Sequence, residues 1–224
     1  MPDIELTDSV QGYLAVPDSG SGPVVVVIQE WWGVNDQIRR TADRFAAEGF
    51  VAFAPDFYNG VVTKEPDEAA KLMMGLEMPR VAQIVADAVD ELLQRPEAAS
   101  DKAGVTGYCM GGGLALLAPT VTDAIIATSA YYPATPWADY QPHWDAYEDK
   151  GAQIHTSEGD GGSTAEHIVA AADAITDAGG TVAIYDYPGT QHAFTSDDRP
   201  EVYDEVATDE AWARTVELFR SHLS

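Results

Sequence analysis

The run PVVVVIQ at residues 23–29 constrains the fold more than any other stretch of this chain. β-branched residues follow one another there without polar alternation, the mark of a strand buried on both faces, as in a parallel sheet covered by helices. Residues 36–48 then carry Ile38, Ala42, Phe45 and Ala46 at helical spacing and stop at Gly49. Residues 50–54 form a further apolar strand, closed by Pro55 and Asp56. Residues 65–76 and 79–94 read as helices, the second with proline in its first turn. A short strand at 103–107 runs into a glycine-rich turn and a helix at 110–117. Strands at 124–130, 153–156 and 181–185, a helix at 164–177 and a final helix near 208–222 complete the order. Residues 135–150, rich in Trp, Tyr and Pro, read as a loop. Strands alternating with helices predict an α/β fold, a mainly parallel sheet with helices on both faces. Ligands of such folds gather at the carboxyl ends of the strands.

No repeat, low-complexity tract or long linker divides the 224 residues, so one α/β domain over 1–224 is expected. A hydrophobic content of 46% belongs to a folded globular chain. No apolar run is longer than that at 24–28, far short of a membrane span. The N-terminal MPDIELTDSV is acidic and lacks a basic-then-apolar leader, which makes the cytoplasm the expected location. Thirty-seven acidic residues face twelve basic ones, for a net charge of −25. Such self-repulsion is relieved when salt shortens the screening length, and the composition reads as adaptation to a salty cytoplasm. It disfavours nucleic acid and anionic membranes as partners, because both need a basic surface. A small molecule acted on by a monomer or small homo-oligomer is the expected partnership. No metal-binding spacing such as HExxH occurs, and neither metal nor other cofactor is expected.

The single cysteine excludes an internal disulfide. A lone cysteine is most often a small buried hydrophobe, but here its neighbours argue otherwise. GYCMGG at 107–112 lies between an expected strand and an expected helix. A nucleophile on such a corner needs small residues beside it, because strand and helix approach closely there. Gly107 and Gly111 meet that need, with Cys109 in place of the usual serine. The helix starting at Met110 aims its free N–H groups and positive dipole end at Cys109, a placement that activates the sulfur.

The α/β-hydrolase order of nucleophile, acid and histidine then directs the search downstream. Of the five histidines, His192 lies in a loop after the last expected strand, where the general base belongs. His167 and His222 fall within or at the end of helices, His155 lies within a strand and more naturally packs there, and His143 sits in the aromatic loop. Glu158 and Asp160 both follow the strand at 153–156, in EGDGG. Asp160 is the chosen acid, since a tight glycine turn can aim a short carboxylate at the imidazole and orient it. After the first strong strand comes QEWWG, where backbone N–H groups of Trp31 and Met110 are candidates for an oxyanion hole. Glu30, beside bulky aromatics, is a candidate partner of the thiol or a ligand. Trp31, Trp32, Tyr131, Tyr132 and Trp137 are candidates for the pocket wall, and Arg199 is a further one.

Together these segments resemble the dienelactone hydrolase family of α/β-hydrolases. QEWWGVN, APDFY, GYCMGG and the late QHAF carry the resemblance, in order and at similar spacing, from Pro23 to the last helix. It implies an ester or lactone hydrolase with the family's cysteine at Cys109, acid at Asp160 and histidine at His192. The family's glutamate, thought to help deprotonate the cysteine when substrate arrives, falls at Glu30. Family members acting on dienelactone hold its carboxylate with arginines. One usually lies four residues beyond the histidine, where this chain has Ser196, with Arg199 the nearest arginine. The other falls in the helix after APDFY, where EPDE at 65–68 offers none. Dienelactone itself is therefore not carried over as substrate. Two other readings compete: a carboxylesterase or thioesterase acting on neutral substrates, and a non-catalytic binding or redox-sensing protein that uses the thiol alone.

Overall fold

The computed structural model describes residues 3–7, 10–160 and 163–223. Gly161 and Gly162, the glycines expected to shape the turn after Asp160, lie outside them, as do Met1, Pro2, Asp8 and Ser9 of the N-terminal stretch. The PVVVVIQ run becomes β3 (Gly22–Ile28), buried almost throughout. Its neighbours are β4 (Val51–Pro55) and β5 (Ala98–Tyr108), both parallel to it. Three more parallel strands extend the sheet, β6 (Ile125–Tyr131), β7 (Gly151–Ser157) and β8 (Thr181–Tyr187). Two strands not foreseen from the sequence close the other edge, β1 (Asp3–Thr7) and β2 (Val10–Ala15), paired antiparallel. The eight-stranded order is β1-β2-β4-β3-β5-β6-β7-β8.

Period-two alternation splits the side chains of β3 between two cores. Val24, Val26 and Ile28 meet α3 (Met78–Leu93) and α4 (Met110–Leu117). Val25 and Val27 meet α1 (Asp36–Ala47) and α6 (Glu205–Leu223) on the opposite face. α5 (Ser163–Asp177) packs with α4 over β6 and β7 through Ile168, Ile175, Leu116, Ala130 and Ile154. α2 (Pro66–Met74) follows β4. The loop expected at 135–150 holds only a 3-10 turn at Trp144–Tyr147.

From β3 the chain steps to β4 on one side and later returns to β5 on the other, which makes the gap between β3 and β5 the topological switch point. The register places Ile28 beside Gly107, Tyr108 beside Tyr131, and Tyr131 beside His155. The carboxyl ends of β3, β5 and β6 are thereby level. Among the described residues, no helix is long and apolar enough to cross a membrane.

Candidate active site

Cys109 occupies the corner between β5 and α4 with φ +55° and ψ −119°. A left-handed φ is strained for a residue with a side chain, and it is held here by hydrogen bonds on both sides. The Cys109 N–H donates to the Tyr131 carbonyl at 3.1 Å, and its own carbonyl accepts from Gly112, Gly113 and Ala134. The corner closes only because its flanks lack side chains: a Cβ on Gly107 would lie 2.0 Å from the Gly111 carbonyl oxygen, and one on Gly111 2.4 Å from that of Gln29. α4 is buried along its whole length, so the helix end has one place to point. The backbone N–H groups of Trp31 and Met110 donate to no protein acceptor among the described residues.

His192 and Asp160 meet as a pair. The Asp160 Oδ1 lies 2.5 Å from the His192 Nδ1, and its Oδ2 accepts from the Ser157 N–H at 3.1 Å and from the Ser157 hydroxyl at 2.7 Å. Glu158, the competing acid, turns outward and accepts from the Gly189 N–H at 2.7 Å. Burial works against a charged imidazole, but hydrogen bonds to Asp160 and to the Cys109 sulfur outweigh it and push the His192 pKa up to about 10. Burial also opposes the Asp160 carboxylate, yet the His192 and Ser157 contacts hold its pKa below the usual carboxylate range. His192 and Asp160 are thus bonded side chain to side chain, with the Cys109 sulfur near enough to the imidazole to raise its titration.

Glu30 is 2% exposed, an unusual place for a carboxyl, and accepts from the Tyr132 hydroxyl at 3.3 Å. Burial pushes its pKa up, while His192, Arg199 and the Tyr132 bond pull the other way. A cavity of about 530 Å³ opens between the segment after Glu30 and the loop beyond His192, lined among others by Trp32, Val34, Val62, Lys64, Ser196 and Arg199. Trp32 and Arg199 thus face the same space, although Cys109 is not part of its lining.

Two expected wall residues belong elsewhere. Tyr131 is the last residue of β6, in register with Tyr108 and His155, and its ring stacks between theirs at 4.7 and 4.5 Å. Its hydroxyl shares a hydrogen bond with Thr215 of α6 at 2.7 Å, so strand alternation commits it to the α6 core and not to the pocket. Trp137 is 6% exposed in the opposite core, its indole donating to the Met73 carbonyl at 2.8 Å. It borders a separate cavity of about 430 Å³ with Tyr140, Trp144 and His167. His155 packs inside the sheet, its Nδ1 2.9 Å from the Tyr187 hydroxyl, and burial followed by the nearby Arg214 lowers its pKa to about 3.

Three residues near the site were not singled out from the sequence. Tyr58 donates to the Met110 sulfur at 3.3 Å, and its own titration is raised by burial and by Cys109. Gln37 of α1 reaches the Thr195 carbonyl at 3.4 Å and accepts from Ser196 at 3.1 Å, bracing the His192 loop. Thr195 meets the Tyr132 hydroxyl at 2.5 Å. Tyr58 alone had a clue, in the APDFY segment. Among the described residues, no group of three or more His, Cys, Asp or Glu side chains is arranged to hold a metal ion.

The model of the dienelactone hydrolase family matches residues 10–223. A relative from Aquifex pyrophilus, protein usf, is 36% identical over 228 residues, covering 96% of this chain and 94% of its own. Among solved structures, a dienelactone hydrolase-like promiscuous phosphotriesterase from metagenomic libraries superposes with a TM-score of 0.83 at 20% identity, covering 100% of this chain and 98% of the other. The dienelactone hydrolase of Anabaena variabilis gives 0.65 at 17% identity, covering 100% and 97%. At those identities the two structures speak for the α/β-hydrolase fold.

Proposed function

The chain belongs to the dienelactone hydrolase family and is a carboxylic ester hydrolase of that kind; on that premise we propose that it opens ester or lactone bonds with Cys109 as nucleophile. The observation that carries this reading is the strained Cys109 corner near an imidazole that is bonded to Asp160 and whose titration the Cys109 sulfur raises.

The Cys109 sulfur attacks the carbonyl as thiolate, and the N–H groups of Trp31 and Met110 hold the oxyanion. His192, which keeps its proton at neutral pH, passes it to the departing oxygen as the tetrahedral adduct collapses to a thioester. The now neutral imidazole, steered by Asp160, takes a proton from water. The resulting hydroxide attacks the thioester and releases the acid, and the sulfur leaves as thiolate beside a reprotonated His192. Alkoxide and enolate leave more readily than an amine, which favours esters and lactones over amides.

A second reading, a carboxylesterase or thioesterase working on uncharged substrates, is favoured by Ser196. It stands where family members acting on dienelactone carry an arginine, and it is 2% exposed and bonded to Gln37. Matched neutral and carboxylate-bearing esters assayed side by side separate the two. The nucleophile is tested by Cys109→Ala, expected to abolish hydrolysis while the thermal unfolding midpoint stays near that of the parent. Turnover retained in this variant defeats the assignment.

A further inference from the structure

Tyr132 sits one residue beyond β6 with φ +36°, a left-handed conformation that is a true outlier for a bulky residue. The conformation is held by its N–H, which donates to the His155 carbonyl at 2.7 Å. Strain of this kind persists only where surroundings over-determine it, and it concentrates at functional sites. Here it turns a fully buried ring into the site. The ring meets His192 edge-on at 4.9 Å and Phe194 at 5.6 Å. Its hydroxyl donates to Glu30 Oε1 at 3.3 Å and shares a hydrogen bond with Thr195 Oγ1 at 2.5 Å. One side chain therefore touches the carboxyl after β3, the imidazole, and the loop that carries the imidazole.

We propose that Tyr132 is a positioning residue whose hydroxyl clamps the buried Glu30 carboxyl to the His192 loop through Thr195. The inference rests on the reading of Cys109, Asp160 and His192 as the reacting groups. A hydroxyl has one proton to give and two lone pairs to receive with. When Glu30 is ionised, Thr195 donates to Tyr132 and Tyr132 donates to the carboxylate. When Glu30 is protonated, it donates to Tyr132, whose proton turns to Thr195. Either form of the carboxyl is thus served without a buried polar atom left unpaired, which would be costly. The titratable and charged groups around Glu30 are His192 and Arg199 from beyond β8, Tyr132 from beyond β6 and Tyr108 at the end of β5, with Cys109 facing Tyr132 in turn. Of these, Tyr132 is the one that hydrogen-bonds the carboxyl itself.

The test is Tyr132→Phe in the full chain, with Thr195→Val as a second variant and pH profiles of kcat and kcat/KM on one ester. The phenylalanine variant is expected to lose roughly 10–100-fold in kcat, the scale of a hydrogen bond to a charged group, with KM changed less. With ionised Glu30 taken as the working form, as its family position beside the thiol implies, the acid limb is expected to move to higher pH, because the carboxylate has lost a donor. Thr195→Val is expected to shift the same limb in the same direction by less, since Tyr132 still reaches Glu30. A merely structural role would lower the fraction of enzyme titrated by iodoacetamide and leave the limb where it was; that outcome, or parental kcat and limb in Tyr132→Phe, overturns the proposal. Should Tyr132→Phe fail to fold, an unmoved limb in Thr195→Val overturns it equally. An inactive Cys109→Ala beside an unmoved limb defeats the clamp alone, whereas an active Cys109→Ala defeats the reading beneath it.

Discussion

A proton held between His192 and Asp160, across 2.5 Å, sets how the site answers to pH. Because the folded pKa of His192 is raised from 6.5 to about 10, the native state binds this proton more tightly than the unfolded chain does. Its contribution to stability is complete below about 6.5 and is lost as pH climbs through about 10. Asp160 runs the other way: its lowered pKa gives stability that is present above the usual carboxylate range and is lost as pH falls through the folded value. Asp160→Asn is therefore expected to flatten the loss of stability between neutral pH and 10, read by urea unfolding across a pH series. In activity it is expected to lower kcat by roughly 10²–10⁴-fold and to move the alkaline limb of kcat/KM to lower pH, since the largest support of the imidazolium is gone. An alkaline limb left in place would show that His192 is not the titrating group.

At the scale of elements, the decisive piece is the β5 corner and the buried helix behind it. Gly107→Ala and Gly111→Ala each drive a Cβ into backbone carbonyl, which no rotamer relieves. Each is expected to cost about 1–3 kcal/mol in stability and to reduce hydrolysis more than its stability loss explains, because the corner that aims the sulfur must open. Chemical unfolding and specific activity of the folded fraction check this. α1 is set more gently, by Asn35, whose side chain accepts from the Ile38 N–H at 3.1 Å. Asn35→Ala is expected to cost about 1 kcal/mol, by the same unfolding assay, with little change in kcat.

For the whole molecule, the net charge of −25 outweighs the local pairs. Arg40 meets Asp197 and Asp198, Arg44 meets Asp209 and Arg220 meets Glu48, but all are solvent-exposed contacts of the kind worth about 0–1 kcal/mol each. They knit α1 to the His192 loop and to α6 without cancelling the field of the remaining acids. Raising salt from about 0.1 to 1 M shortens the screening length from about 10 to about 3 Å. The thermal midpoint is accordingly expected to rise across that range, with sodium chloride and potassium chloride alike. A midpoint that stays flat or falls would remove the basis for reading the composition as an adaptation to salt.

The sequence by itself determined the parallel sheet and the strand-to-helix corner at Cys109, because both rest on local rules. A β-branched run has to be buried on both faces, and two glycines around a lone cysteine at a strand-to-helix junction leave few other conformations. Chain order then led to His192 and to Asp160. The β1–β2 edge was not legible: DIELT is polar and half exposed, and its strand exists only through pairing with β2. Nor was the direction of Tyr131 and Tyr132, adjacent residues whose rings go opposite ways, one into the α6 core by strand alternation and the other toward His192 through a left-handed backbone turn. The same holds for Trp137, Gln37 and Thr195. Which side chains meet across separate elements depends on register and packing summed over the whole sheet, and only the tertiary structure decided that.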